Sequence, residues 1–175
     1  MRYFLPLVVL LAVGALFWVG LGLQPAVVPS PLIGQPVPEF KLPLLDDAER
    51  SFTHRELTGR VTLVHVWATW CVTCRAEHPT LLAFARSGRV PVIGFNYKDD
   101  RALALRWLEA AGDPYALNVF DESGAVAIDW GVYGTPETFV VDREGVIRYK
   151  HVGPLTDDII AGELVPLLDA LGAGQ

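Results

Sequence analysis

Cys71 and Cys74 are the only cysteines of the chain, and they stand three positions apart in WATWCVTCRAEHP, residues 67–79. That spacing serves four chemistries: reversible thiol-disulfide exchange, half of a zinc site, covalent haem attachment, or a fixed disulfide. Haem attachment requires a histidine directly after the second cysteine, and Arg75 stands there, so that chemistry is excluded. A structural zinc site takes four ligands; the chain has no second cysteine pair, and His78 would add only a third. A permanent bridge over so short a loop constrains the unfolded chain little and makes a poor staple. Redox exchange is the chemistry that the residues favour.

The elements around the pair agree with it. RVTLVHVWAT, residues 60–69, is a continuous β-rich run of the kind a strand buried on both faces shows, and it leads directly into the cysteines. CRAEHPTLLAFARSG then reads as a helix stopped by Gly88. Cys71 therefore falls at a helix N-terminus, where unpaired N–H groups and the helix dipole stabilise a thiolate, and Cys74 lies about one turn inside. Cys71 is expected to be the exposed, attacking sulfur, and Cys74 the less exposed sulfur that resolves the mixed disulfide.

Downstream, VPVIGFNY reads as a strand, DRALALRWLEAAG as a helix ending near Gly112, ALNVFD as a short strand and SGAVAIDWG as a short helix. ETFVVDREGVIRYKHVG holds two β-rich runs joined by a polar turn at residues 142–145, a hairpin signal. DDIIAGELVPLLDALG closes the chain as a helix that Pro166 should bend or break. The order predicts an α/β fold, a mixed sheet with helices on both faces.

Composition bounds the function. With 175 residues, 51% of them hydrophobic, the chain suits one well-buried domain. A net charge of -6 argues against a nucleic-acid partner. From Tyr3 to Leu23 no residue is charged, and at about 1.5 Å per residue that run reaches roughly 30 Å, a hydrocarbon thickness. Residues 1–24 are expected to be an uncleaved single-pass transmembrane anchor, since a signal peptide has a shorter apolar run and an A-x-A-like cleavage site that is not found. Arg2 precedes the run, which leaves the N-terminus in the cytoplasm and the rest of the chain outside it. Residues 25–38 carry Pro25, Pro29, Pro31, Pro36 and Pro38 and read as a semi-rigid linker or a chain entry into the fold; residues 39–175 form the working domain.

WATWCVTCRAEHP, GFNYKDDRALALRWLEAAGDPYAL and GVYGTPETFVVDREGVIRYKHVG together closely resemble the membrane-anchored thioredoxin-like proteins of cytochrome c biogenesis, the CcmG or DsbE family. The likeness covers nearly all of the chain after the linker. It implies a thioredoxin fold and a reductive role in the periplasm, at the inner membrane. Such proteins reduce the haem-binding Cys-x-x-Cys-His thiols of apocytochrome c ahead of the haem-ligation machinery, and draw electrons from a transmembrane thiol reductase of the DsbD or CcdA type. No cofactor is implied beyond the redox-active disulfide Cys71–Cys74, and no metal.

The resemblance also assigns residues. Pro136 matches the family's cis-proline opposite the cysteines, where the backbone of Thr135 can pair with an extended substrate. Glu77 and Glu137 match an acidic pair at the active site, able to carry protons or to raise thiol pKa values; the bland alternative is two solvated surface carboxylates. Trp70 is expected beside the exposed sulfur, and Trp67 in the core or its rim. Asn96 and Tyr97, opening NYKDD at the end of the second strand, are expected to shape the substrate groove, with a helix entry capped by Asp99 or Asp100 as the alternative. His65, where relatives more often carry Asn, and His78 are read as structural. Val72-Thr73 stands between the cysteines where many relatives have Pro-Thr, which leaves the redox poise open. Two other functions compete: a general extracytoplasmic oxidant, whose peroxidase version is disfavoured because WATWC lacks the proline and threonine that peroxiredoxin-like sites place ahead of the sulfur, and a redox-inert module that presents apocytochrome.

Overall fold

The computed structural model describes residues 4–22 and 30–173. Helix α1 (Phe4–Gly22) forms over the uncharged N-terminal run. Its side chains are described for Phe4 and residues 6–18, and among the described residues no helix is long and apolar enough to cross a membrane. Residues 1–3 and 23–24 of the expected anchor lie outside the described residues, as do residues 25–29 of the proline-rich stretch.

From Ser30 onward the chain lies against the domain. Gly34 N–H donates to the Ile147 carbonyl, Ile147 N–H to Gln35, and Val37 N–H to Gly145. Strands β1 (Lys41–Pro43) and β2 (Ser51–Thr53) then pair as a short antiparallel hairpin, followed by a 3-10 turn at His54–Leu57. The sequence reading left this hairpin unassigned, because three-residue strands give the period-two pattern too little length to register.

The remaining order is β3 (Thr62–Trp67), α2 (Val72–Arg86), β4 (Val92–Tyr97), α3 (Arg101–Ala111), β5 (Leu117–Asp121), α4 (Ala125–Asp129), β6 (Glu137–Val141) and β7 (Ile147–Val152). Five strands form one sheet in the order β5-β4-β3-β6-β7. β3, β4 and β5 run parallel, while β6 is antiparallel to both β3 and β7. The C-terminal segment runs as α5 (Asp157–Ile159), a π-helical turn (Ile160–Leu164) and α6 (Val165–Ala170). Helical backbone continues through Pro166, with the α-helix interrupted just ahead of it by the π-helical turn. The widened turn ahead of it takes up the place where an α-helical hydrogen bond to the missing N–H would have been.

β3 is buried along its whole length because both faces of the sheet are covered. Leu63, Trp67, Val92, Phe120 and Val140 face a core closed by α2, α3 and α6, and both cysteines belong to it. Val64, Val66, Ile93, Phe95, Val119 and Phe139 face a second core, closed by Trp130 after α4 and by Val37, Phe40, Leu42 and Leu44 of the N-terminal segment. Helices do lie on both faces, as expected, but on the second face the N-terminal segment supplies much of the cover. Arg101 fastens that segment to the sheet edge, donating to the Leu44 and Leu45 carbonyls while its guanidinium lies 4.4 Å from the Phe120 ring centre.

Gly94 in β4 is required by close approach. A Cβ there would lie 1.9 Å from Asn118 Oδ1 and 2.9 Å from Trp67 Nε1, the two atoms joined by the buried Trp67–Asn118 hydrogen bond. Gly94→Ala must therefore displace that bond, and we expect it to lower unfolding stability by roughly 2–4 kcal/mol in denaturant titration. A change within error would mean that the approach is not tight.

Candidate active site

Cys71 is the N-cap residue of α2, in extended conformation (φ -80°, ψ 106°), and its Sγ accepts a hydrogen bond from the Cys74 N–H at 3.0 Å. The two are joined in a disulfide with their Cα atoms 5.3 Å apart. The expected contrast in exposure is absent in this oxidised form: each cysteine is 4% exposed. What is exposed are their neighbours Trp70 and Val72, at 51% and 73%. In the reduced protein the same N–H would point at the Cys71 sulfur, which is how a helix N-terminus stabilises a thiolate.

The loop that presents Cys71 is fixed by the segment after β4. Asp99 accepts from the Thr69 N–H (2.6 Å), from the Thr69 hydroxyl (2.5 Å) and from Asn96 Nδ2 (2.9 Å). Trp70 Nε1 donates to the Lys98 carbonyl at 2.9 Å, and Lys98 itself adopts a left-handed backbone (φ 45°). Asn96 and Tyr97 are thus brought to the cysteine loop, but Asn96 is fully buried and orients Asp99 instead of offering a surface to substrate. Tyr97 is half-buried, its ring centre 6.4 Å from that of Trp70. The helix cap of α3 is Asp100, which accepts from Leu103 N–H at 2.8 Å. Asp99 is free for the loop as a result, a role that sequence could not distinguish from capping.

Pro136 is buried and follows a cis peptide bond with Thr135. The register sets Glu137 of β6 opposite Val66 of β3, so Pro136 lies at the end of the sheet where β3 runs out toward the cysteines. Thr135 is half-buried, with an Oγ1 that makes no hydrogen bond among the described residues.

The two acidic residues part company, and neither is a solvated surface carboxylate. Glu137 is on the face of the sheet away from the cysteines, fully buried, with Lys150 Nζ at 2.9 Å from Oε2 and the Tyr133 N–H donating to Oε1 at 2.7 Å. It anchors the loop that carries Thr135 and Pro136, and Lys150 also reaches the Gly131 carbonyl and the face of the Tyr133 ring. The acidic pair that the resemblance implies is therefore split by the sheet, because Glu137 shares a face with Phe139 and Val141.

Glu77 is on the cysteine side, one turn along α2 from Cys74 and 4% exposed. Burial raises its pKa to about 7, with the Leu155 N–H, 2.5 Å from Oε2, pulling the other way. Its other oxygen faces His65 Nε2 at 3.5 Å. His65, read from sequence as a core residue, is buried as expected; burial, and then the charge of His78, push its pKa down to about 3. Its place beside Glu77 was missed. The available signal was its odd-numbered position in β3, on the face that the following helix covers. His78 bonds the Gly112 carbonyl at 3.0 Å and meets the Trp107 ring edge-on, a packing role.

A helix-capped Cys-x-x-Cys pair beside a buried carboxyl is a thiol-disulfide exchange site, and the comparisons agree. The Redoxin family model matches residues 32–164. The chain is 48% identical to the thiol:disulfide interchange protein DsbE of Allochromatium vinosum, covering 99% of this chain and 96% of that one. The chain belongs to the DsbE family. Against the Escherichia coli K12 DsbE it is 46% identical over 93% of this chain and 91% of that one. Among solved structures it superposes on a thio-disulfide isomerase from Thermus thermophilus with a TM-score of 0.67 and 27% identity, covering 82% of this chain and 99% of that one. As a DsbE-family member with a thioredoxin-like fold and the Cys71–Cys74 disulfide, it is a thiol-disulfide oxidoreductase.

Burial of Glu77 has a cost that depends on pH. An acid whose folded pKa lies above its ordinary value favours the fold while protonated; that contribution is complete below about 4.5 and is lost as pH rises through about 7. We expect the oxidised protein to lose stability on the order of 3 kcal/mol across that window. Glu77→Gln should abolish that part of the dependence in denaturant titrations repeated from pH 4 to 8. An unchanged pH profile in the variant would place the titration elsewhere.

Proposed function

We propose that the protein is a membrane-tethered reductant that opens the haem-binding Cys-x-x-Cys-His disulfide of apocytochrome c during cytochrome c maturation. The uncharged run from Tyr3 to Leu23, which the described residues cover only in part, would hold it in the inner membrane as a single-pass anchor, with the catalytic domain on the periplasmic side. The observation that carries the reductive reading is the buried Glu77 carboxyl one turn from Cys74. Once ionised, its negative charge opposes thiolate formation on the pair, so the reduced form gains less stabilisation from ionisation and is a better electron donor.

In this reading the reduced Cys71 thiolate attacks one sulfur of the substrate disulfide, and the other substrate sulfur leaves as a thiolate. The Cys74 thiol passes its proton to the Glu77 carboxylate and attacks Cys71 Sγ; the bond from Cys71 to substrate breaks and the second substrate thiolate departs. Two electrons have moved from the Cys71/Cys74 dithiol to the substrate, and the resulting disulfide is reduced again by a transmembrane thiol reductase of the DsbD or CcdA type. Exposed Trp70, Val72 and Tyr133 offer an apolar rim for the substrate. The backbone of Thr135 ahead of the cis-proline would pair with it as an added strand. The resemblance of GVYGTPETF and NYKDD to the cytochrome c biogenesis proteins supports this substrate over others.

Cys74→Ser in the full chain leaves the mixed disulfide unresolved. Trapping in intact cells followed by mass spectrometry should recover apocytochrome c through its haem-binding cysteines, together with a membrane thiol reductase. Recovery of assorted secreted proteins without apocytochrome would overturn the proposal in favour of a general oxidant.

A further inference from the structure

The proposed proton exchange at Glu77 leaves one group unexplained. Glu77 Oε2 is occupied by the Leu155 N–H at 2.5 Å, so the oxygen that gains and loses the proton is Oε1. Oε1 is buried, makes no hydrogen bond among the described residues, and faces His65 Nε2 across 3.5 Å. The other ring nitrogen, Nδ1, lies 3.1 Å from Thr138 Oγ1. His65 and Glu77 side chains are each 1% exposed. A hydroxyl both donates and accepts, so it can serve either tautomer of the ring.

We infer that His65 is a positioning residue for Glu77, a neutral imidazole whose tautomer follows the protonation state of the carboxyl while the Thr138 hydroxyl reverses its role. When Glu77 is ionised, Nε2–H donates to Oε1 and Nδ1 accepts from the Thr138 hydroxyl. When Glu77 is protonated, Oε1–H donates to Nε2 and Nδ1–H donates to Thr138 Oγ1. The two states differ by one proton, which is on Glu77 in the second and on Cys74 or in solvent in the first; the ring carries one proton in both. Closing the 3.5 Å gap between Nε2 and Oε1 would give a buried carboxyl a hydrogen-bond partner in each state without adding a charge, which keeps it able to exchange a proton with the cysteines.

The surroundings are consistent with a neutral ring. The ionisable groups around the pair are Cys74 and His78 on α2, Asp113 and Tyr115 before β5, and His151, the register partner of Thr138 on β7. Tyr115 stacks on His65 at 6.0 Å between ring centres, and burial pushes its phenol well above the usual range, so it stays uncharged. Burial raises Asp113 as well, and lowers both His65 and His78, which opposes an imidazolium here.

This inference rests on Glu77 as the proton acceptor of Cys74, and one experiment separates the two. The full chain, with ¹⁵N-labelled histidine, is titrated by NMR from pH 5 to 9. The His65 ring should pass from the Nδ1–H to the Nε2–H tautomer near pH 7 with no imidazolium, and in Glu77→Gln this pH-driven change should vanish. A single tautomer throughout, an imidazolium, or a change that persists in Glu77→Gln would overturn the inference. The pH midpoint of mixed-disulfide release should rise by about one unit in His65→Leu, which offers the carboxylate no donor, and stay near the original in His65→Asn, which offers both a donor and an acceptor. An unmoved midpoint in His65→Leu also overturns it. If Glu77→Gln leaves the release rate unchanged, the Glu77 reading itself has failed, whatever the tautomer does.

Discussion

The pairing of β6 against β3 is the constraint on which the rest of the site depends. Glu137 stands opposite Val66, and Thr138 opposite His65. Because side chains alternate along a strand, that single register sends Thr138 and His65 to the face covered by the cysteine-bearing helix and Glu137 to the other face. A slip of one residue would exchange them, placing an uncompensated carboxyl behind the cysteines and stranding Lys150. Both cores would be lost with it, since the same alternation sorts Leu63 and Trp67 from Val64 and Val66.

Two buried acids therefore do different physical work in one small domain. Glu137 is held in place by an ion pair with Lys150 and by the Tyr133 N–H, so its carboxylate shapes the loop ahead of Pro136. Removing either partner from such a pair leaves a buried charge, which is why the loop geometry depends on both. Among the described residues Glu77 has no cation of this kind. It has one backbone donor and a neutral imidazole, and its proton affinity rises to meet that of a working proton carrier.

The loop that presents Cys71 is built from outside its own element. Asp99 and the Lys98 carbonyl, both beyond β4, hold Thr69 and Trp70. The cysteine pair sits at the C-terminal ends of the parallel strands, where loops from neighbouring strands meet. Placement of the sulfur is thus a property of the β3–β4 pairing together with the helix that Cys71 caps.

Much of this was legible in the residues alone. The buried run of β3, the helix that follows it, the β6–β7 hairpin and the position of Cys71 at a helix start all follow from local patterns of period and capping, which a chain carries wherever it folds. Haem attachment was excluded by Arg75 with no structure needed. The β1–β2 hairpin was not legible, because its strands are too short to have a period. The division of Glu77 from Glu137 and the meeting of His65 with Glu77 and Thr138 were decided only by tertiary structure. These residues are separated by up to 73 positions, and their contacts follow from strand register and helix packing, which no local pattern encodes. Burial then did the rest, since a carboxyl acquires a pKa near 7 only where the assembled fold removes water from it.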